Sequence, residues 1–276
     1  MTYKTILVHV DAGKRCATRV GIAARLARQF DAHLVGLNAL TRYAIPAYAV
    51  AGTAGMIEDL QQRAAAEQRA QAEAMFRRAS ATENLRGVEW RDSDADAVEA
   101  VALHARYADL VIIGQPEAGD DSGVEENFAA SAVLAAGRPV LMVPYAGEFR
   151  RLATRVLVAW DARRESTRAL TDALPLLRAA SKVHIITFDA RGDGHGEVPG
   201  ADIGLYLSRH GVAVEVRIDQ SADIDVGNAL LSRAADLDCD LLVMGGYGHS
   251  RLQQLVMGGV TRTLLESMTL PVLMSH

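Results

Sequence analysis

Cysteine is scarce in this chain. Among 276 residues there are two, Cys16 and Cys239, far apart and in no CxxC pair. That excludes a zinc ribbon and a thioredoxin-like redox motif. A disulfide framework is not expected, and a reducing cytoplasm is the expected compartment. Aromatic residues make up 5%, so the cores must be built from Ala, Val, Leu and Ile. No apolar run approaches the roughly 18 residues a membrane helix needs, and no membrane insertion is expected. The apolar run near the start stops at Asp11, too short for a signal peptide. Positive charge is not in excess either. Lys and Arg number 29 against 34 Asp and Glu, a net charge of −5. The bulk positive field that non-specific nucleic-acid binding requires is therefore missing.

What is present is a normal globular balance, 50% hydrophobic and 23% charged. At roughly 150 residues per domain the length suggests two domains. The chain also repeats itself once. The stretch from Tyr3 to Asp11 matches that from Ala153 to Asp161. The stretch from Ala108 to Gly114 matches Cys239 to Gly245, and Arg138 to Val143 matches Leu270 to Ser275. Three matches in one order indicate two copies of one domain. The expected boundaries are 1–146 and 151–276, with Pro144 to Arg151 as linker.

Within each copy, strands and helices alternate. In the first copy strands are expected at 5–10, 33–40, 86–91, 109–114 and 139–143. Helices are expected at 17–30, 57–80, 94–106 and 126–136, with a loop at 41–55. Val20, Ala23, Ala24, Ala27 and Phe30 have helical spacing. The second copy follows suit, with strands at 155–160, 182–188, 212–218, 240–244 and 271–275. Its helices are expected at 165–180, 200–210, 225–237 and 260–268. Short aliphatic strands separated by helices mean parallel pairing with right-handed crossovers, and so a doubly wound α/β fold, twice. Ligands in such sheets sit at the C-terminal strand ends, where the strand order switches. The last strand of each copy, Val140 to Val143 and Val272 to Met274, would leave an edge that needs pairing or cover.

One segment stands out. Gly245 follows a strand directly, Gly248 comes three residues later, and nine residues lead on to Gly258 and Gly259 before a helix at Val260. Glycine lets the backbone approach an anion, and a helix N-terminus offers free N–H groups and partial positive charge. The segment reads either as a phosphate cradle or as a strand-to-loop turn with an ordinary helix start. Other motifs fail. Gly114 to Gly119 has Walker A glycine spacing, but Asp120 and Asp121 follow. No G-x-G-x-x-G follows either first strand. Around Ser250, Leu252 takes the glycine position of a nucleophile elbow. The eight histidines show no metal-ligand spacing. His249 reads as solvent-exposed, Gly192 to Gly196 as a surface loop, and the charged helix at 57–80 as a solvated face or, failing that, a partner surface.

The G-x-x-G-x9-G spacing, with Pro271, Val272 and Leu273 in the last strand, resembles the universal stress protein family. The resemblance covers nearly the whole chain, as a tandem two-domain member. It implies an adenine nucleotide alpha hydrolase-like fold: two tandem five-stranded parallel sheets, each of strand order 3-2-1-4-5. It also implies an adenine nucleotide in the second copy: ATP, or ADP or AMP, with Mg2+ left open as a companion. By position, Asp161 would contact the nucleoside, Ala159 and Trp160 would flank the adenine, and Phe188 would sit beside it. Met244 and Tyr247 would line the pocket. Gly245, Gly248, Gly258 and the N–H groups of Val260 and Thr261 would hold ribose and phosphates. From the residues alone, Trp160 reads also as core, and Asp161 also as an N-cap or loop residue for the following helix.

Gly259 departs from the family pattern, which has Ser or Thr there. Ser250 or Thr261 is the substitute hydroxyl, and Arg251 or Arg262 a source of charge. The first copy has lost the cradle: Gln115, Pro116 and Glu117 follow Gly114, and Glu126 and Asn127 stand near the Gly-Ser position of the pattern. Asp11 persists there, but the copy is not expected to bind ATP. The resemblance thus implies a stress-response regulatory protein, at most a slow ATPase, with a protein partner the sequence does not identify. The alternative is a nucleotide-free interaction scaffold whose site has decayed. A dedicated hydrolase lacks an identifiable nucleophile. In the family the last strands pair antiparallel between subunits, so the tandem chain is expected to form an internal pseudo-dimer, with homodimerisation open.

Overall fold

The computed structural model describes residues 2–39, 54–117, 119, 124–188, 200–219, 225–247 and 259–276. In the N-terminal half the strands are β1 (Thr5–Val10), β2 (His33–Asn38), β3 (Val88–Asp92), β4 (Leu110–Gly114) and β5 (Val140–Val143). Its helices are α1 (Cys16–Phe30), α2 (Ala54–Ala81), α3 (Ala97–Ala105) and α4 (Phe128–Ala135). In the C-terminal half the strands are β6 (Arg155–Ala159), β7 (Lys182–Phe188), β8 (Val214–Asp219), β9 (Leu241–Gly245) and β10 (Val272–Ser275). Its helices are α5 (Arg164–Asp172), α6 (Leu174–Ala179), α7 (Ala201–Arg209), α8 (Val226–Asp236) and α9 (Val260–Ser267).

Among the described residues the ten strands form one sheet, ordered β3-β2-β1-β4-β5-β10-β9-β6-β7-β8. Each half has the expected order 3-2-1-4-5. The halves join where β5 and β10 pair antiparallel, with Leu273 opposite Leu141. Every other pairing is parallel. Each half thereby covers the sheet edge that the other would leave open.

Side chains alternate strictly across the sheet. Ile6, Val8, Leu34, Ile112, Val156, Ile185 and Val243 face a core closed by α1, α2, α5, α6 and α7. Leu7, Val35, Val111, Leu157, Ile186 and Leu242 face a core closed by α3, α4, α8 and α9. Strands covered on both faces need continuous apolar runs, which is what the sequence supplies.

Part of the internal repeat has a local cause. Asp109 Oδ2 accepts the N–H groups of Lys4 and Thr5, at 2.7 and 3.0 Å. Asp240 Oδ1 accepts those of Thr154 and Arg155, at 2.8 and 3.1 Å. In each half an aspartate just before the fourth strand thus clips the start of the first. Asp96 and Asp225 cap α3 and α8 in the same way.

One expected element differs. The helix expected at 165–180 breaks at Ala173 into α5 and α6, with Pro175 in the first turn of α6. Proline lacks the N–H of a helix interior but suits a helix start. The loop at 41–55 and the Gly192 to Gly196 segment lie largely or wholly outside the described residues.

Candidate functional site

In a doubly wound sheet the crevice lies at the C-terminal ends of the first and fourth strands. Each half has this place, and the two differ. In the N-terminal half it is filled from within. Asp11 follows β1, and its Oδ2 meets Arg19 Nη2 at 2.7 Å. Arg19 Nε donates to the His9 carbonyl at 2.8 Å, and Nη2 lies 3.2 Å from Cys16 Sγ. His9 Nδ1 is 3.6 Å from Asp11 Oδ2, and His9 Nε2 is 2.8 Å from the Ala39 carbonyl oxygen. A Cβ on Gly114 would stand 2.0 Å from Arg19 Nη1. That glycine therefore makes room for the guanidinium. The space left over is about 20 Å3, enough for one water and no ligand.

The electrostatics of this group are those of a sealed ion pair. Burial works to raise the Asp11 pKa, but Arg19, His9 and the Gly13 N–H outweigh it and hold the carboxyl below its usual range. Burial, helped by Arg19, pushes His9 below its usual value. Burial raises the Cys16 thiol to about 11, so it is not a ready nucleophile.

In the C-terminal half the equivalent place is built from different side chains. Asp161 follows β6, and Arg163 N–H donates to its Oδ1 at 3.1 Å, as Gly13 N–H does to Asp11 Oδ1 at 3.0 Å. The turn is the same. However, the residue eight positions on is Ala169, not Arg. Asp161 leaves 58% of its side chain exposed, against 5% for Asp11. Ala159 stands where His9 would be, and Ser166 where Cys16 would be.

The sequence-expected residues divide between the two faces. Ala159, Phe188, Met244, Tyr247 and Val260 all pack on the core that α8 and α9 close. Trp160 does not join them; it packs on the opposite core. Gly245 has a packing reason of its own, since a Cβ there would stand 2.6 Å from the Ser166 nitrogen. Gly248, Gly258, His249, Ser250, Arg251 and Leu252 lie outside the described residues.

Tyr247 begins the glycine-rich loop with φ 58°, a left-handed conformation uncommon for a side chain of that size. Its N–H donates to Thr261 Oγ1 at 3.3 Å. That bond ties the strand end to α9 and engages an oxygen expected to be available to a phosphate. Gly259 caps α9 at φ −70° and ψ 152°, an extended geometry open to any residue. Arg262 Nε pairs with Glu266 Oε1 at 2.7 Å, so its charge is partly spent along its own helix.

Beside Tyr247, Gly259 and Thr261 opens a cleft of about 820 Å3, whose far wall is the N-terminal half: Gln115, Tyr145 and the start of α4. Two residues of the N-terminal half take roles that the sequence did not assign them. Arg19 lies on the inward stripe of α1 with Cys16, Val20 and Ala23, and a charge on an apolar stripe was the available signal. Gln115 replaces the glycine that the other half has at Gly246. Among the described residues no group of three or more His, Cys, Asp or Glu is placed to hold a metal ion. Among them no helix is long and apolar enough to cross a membrane.

A model of the universal stress protein family matches residues 2–144 and 153–276. The chain belongs to the universal stress protein family. A curated relative, Universal stress protein Slr1230 from Synechocystis sp., is 30% identical over 143 residues. That match covers 49% of this chain and 46% of the relative, so it spans about half the relative's length. A universal stress protein structure from Archaeoglobus fulgidus is similar with TM-score 0.71 at 15% identity, over 98% of this chain and 94% of that one. A putative universal stress protein from Pseudomonas aeruginosa is similar with TM-score 0.57 at 16% identity, over 98% and 92%. At such identities the likeness is one of fold. Within this universal stress protein fold, the two halves differ at the same strand end: Asp11 is buried against Arg19, and Asp161 is exposed.

Proposed function

We propose that this universal stress protein is a regulatory protein that binds ATP, or the related ADP or AMP, in its C-terminal half. The observation that carries the reading is the contrast between Asp11 and Asp161. The same strand end and the same turn hold both, yet Asp11 is sealed by Arg19 and Asp161 faces solvent. An exposed acid at this place suits the hydroxyls of a ribose. Ala159, Phe188 and Met244, which share one face of the sheet, would supply an apolar wall for a base. Helix α9 starts just after Gly259. Its first N–H groups, on Val260 and Thr261, have no partner within the helix by construction, and its dipole favours an anion. Gly245, Gly248 and Gly258 complete the G-x-x-G-x9-G spacing that the ATP-binding members of the family carry.

In this reading the residues bind and orient. Asp161 fixes the sugar, the α9 N-terminus holds phosphate, and Mg2+ accompanies the phosphates where these call for a cation. Gly259 supplies no hydroxyl to a terminal phosphate, which favours the shorter nucleotides. It is also the one observation that favours the second reading, a nucleotide-free interaction scaffold in the cytoplasm.

The test is mass spectrometry of whatever co-purifies with the protein, followed by calorimetric titration of ATP, ADP and AMP. A stoichiometric adenine nucleotide, lost in Asp161→Ala and Gly248→Asp, is the expected result. An empty protein that gives no heat with millimolar nucleotide would put the scaffold reading first.

A further inference from the structure

The N-terminal half keeps its crevice closed, yet it reaches across the sheet seam into the other half at one point. Gln115 directly follows β4. Its side chain is nearly buried, and Nε2 donates to the carbonyls of Leu265 and Glu266, at 2.8 and 3.2 Å. Gln115 Oε1 accepts the Tyr145 N–H at 3.2 Å, and the Gln115 backbone N–H donates to Val143 O at 2.8 Å. The side chain is therefore fixed at both ends by its own half. Leu265 and Glu266 lie in the last turn of α9, where helix carbonyls lack partners within the helix. One half thus supplies the C-terminal cap for a helix of the other.

The opposite side of the seam shows what this replaces. Gly246 holds the place of Gln115, directly after β9. A Cβ on Gly246 would come 3.1 Å from Val133 Cγ1. Val133 is the sixth residue of α4, as Leu265 is of α9. So α4 settles closely on a glycine, whereas α9 rests on a glutamine side chain and is hydrogen-bonded to it. Gln115, Leu265 and Glu266 all line the 820 Å3 cleft, which α9 flanks without closing.

We propose that Gln115 is a positioning residue for ligand binding in the C-terminal half. By holding the last turn of α9 it sets where the first turn, with the N–H groups of Val260 and Thr261, is aimed. The closed half then serves the open one as a brace. This inference rests on the nucleotide reading of the C-terminal half for its ligand part, and on geometry alone for the clamp.

The experiment compares the full chain with Gln115→Met and Gln115→Glu. Methionine keeps the length and removes both polar atoms. Glutamate keeps the shape, but when ionised it sets a carboxylate against two carbonyl oxygens. Hydrogen exchange of the Val260–Ser267 amides, without nucleotide, reads the clamp. Calorimetric titration of ADP reads its effect on binding. Expected are faster exchange in α9 with α8 unchanged, and about a tenfold loss of affinity, the scale of one or two neutral hydrogen bonds. In Gln115→Glu the loss should shrink as pH falls. A carboxyl facing carbonyls has its pKa raised, and once protonated it donates again. A merely packed side chain would show no such pH profile. Unchanged α9 exchange in both variants overturns the clamp whether or not nucleotide binds. Faster exchange with unchanged affinity overturns the positioning role. No heat with the wild-type protein sinks the nucleotide reading, and the ligand part of this inference with it, while the exchange arm still decides the clamp.

Discussion

Arg19 Nη2 sits 2.7 Å from Asp11 Oδ2, and the two side chains are 4% and 5% exposed. Removing one partner of a buried pair leaves the other charge stranded. Arg19→Ala should therefore destabilise the protein by about 3–5 kcal/mol, measured by urea unfolding. Arg19→Ala combined with Asp11→Ala should recover part of that loss. A double variant no more stable than Arg19→Ala would mean the arginine acts through packing alone.

His9 gives the N-terminal half an acid sensitivity with a definite sign. Its folded pKa lies below the ordinary 6.5 because burial, and then Arg19, disfavour the charged ring. Below that value the unfolded chain takes up a proton that the folded chain resists, so its stability contribution is complete above pH 6.5 and falls away as pH drops toward the folded value. His104 and His184 are shifted the same way, also by burial first. Thermal midpoints recorded from pH 7.5 to 5 should decline, and His9→Leu should flatten the slope without abolishing it.

Gly36 lies under Phe76. A Cβ on Gly36 would stand 2.7 Å from Phe76 Cε2, and the ring is fully buried, 5.4 Å from the Trp90 ring. The ring cannot swing away without disturbing α2. Gly36→Ala should cost about 1–3 kcal/mol through overpacking, seen as a lowered thermal midpoint. An unchanged midpoint would show that α2 yields more easily than its packing suggests.

Gly259 has a backbone that serine can adopt. If the C-terminal half binds nucleotide, Gly259→Ser adds a helix cap and a hydroxyl beside the phosphates. A hydrogen bond to a charged group, at about 1.5–3 kcal/mol, corresponds to a gain of roughly tenfold or more in ATP affinity by calorimetry. Equal affinities in the two proteins would mean that the phosphates lie elsewhere.

The fold was legible because its signals are redundant. The repeats around Asp109 and Asp240, the aliphatic strands and the α1 stripe each point to the same architecture. The break between α5 and α6 was written in Pro175, but the helical periodicity continues past it and masks it. The candidate site was legible only in part. Glycine spacing marks Gly245, yet that glycine also makes room for the start of α5, which no local pattern reveals. Arg19 and Gln115 act through residues distant in sequence: Arg19 reaches forward to Gly114 as well as back to nearby Asp11, and Gln115 forward to Leu265. Such pairings exist only once β1, β4 and α9 have been brought together, and a single sequence records the partners without recording the meeting.

The antiparallel pairing of β5 with β10 has a consequence for heredity as well as for shape. In an assembly of two identical subunits, every substitution strikes both crevices at once. An arginine that seals one would seal the other. Here both sides of the seam are encoded separately in a single chain, so residue 19 and residue 169 are free to differ. Every molecule carries one buried aspartate and one exposed one at this strand end, in a ratio that neither dilution nor subunit exchange can alter.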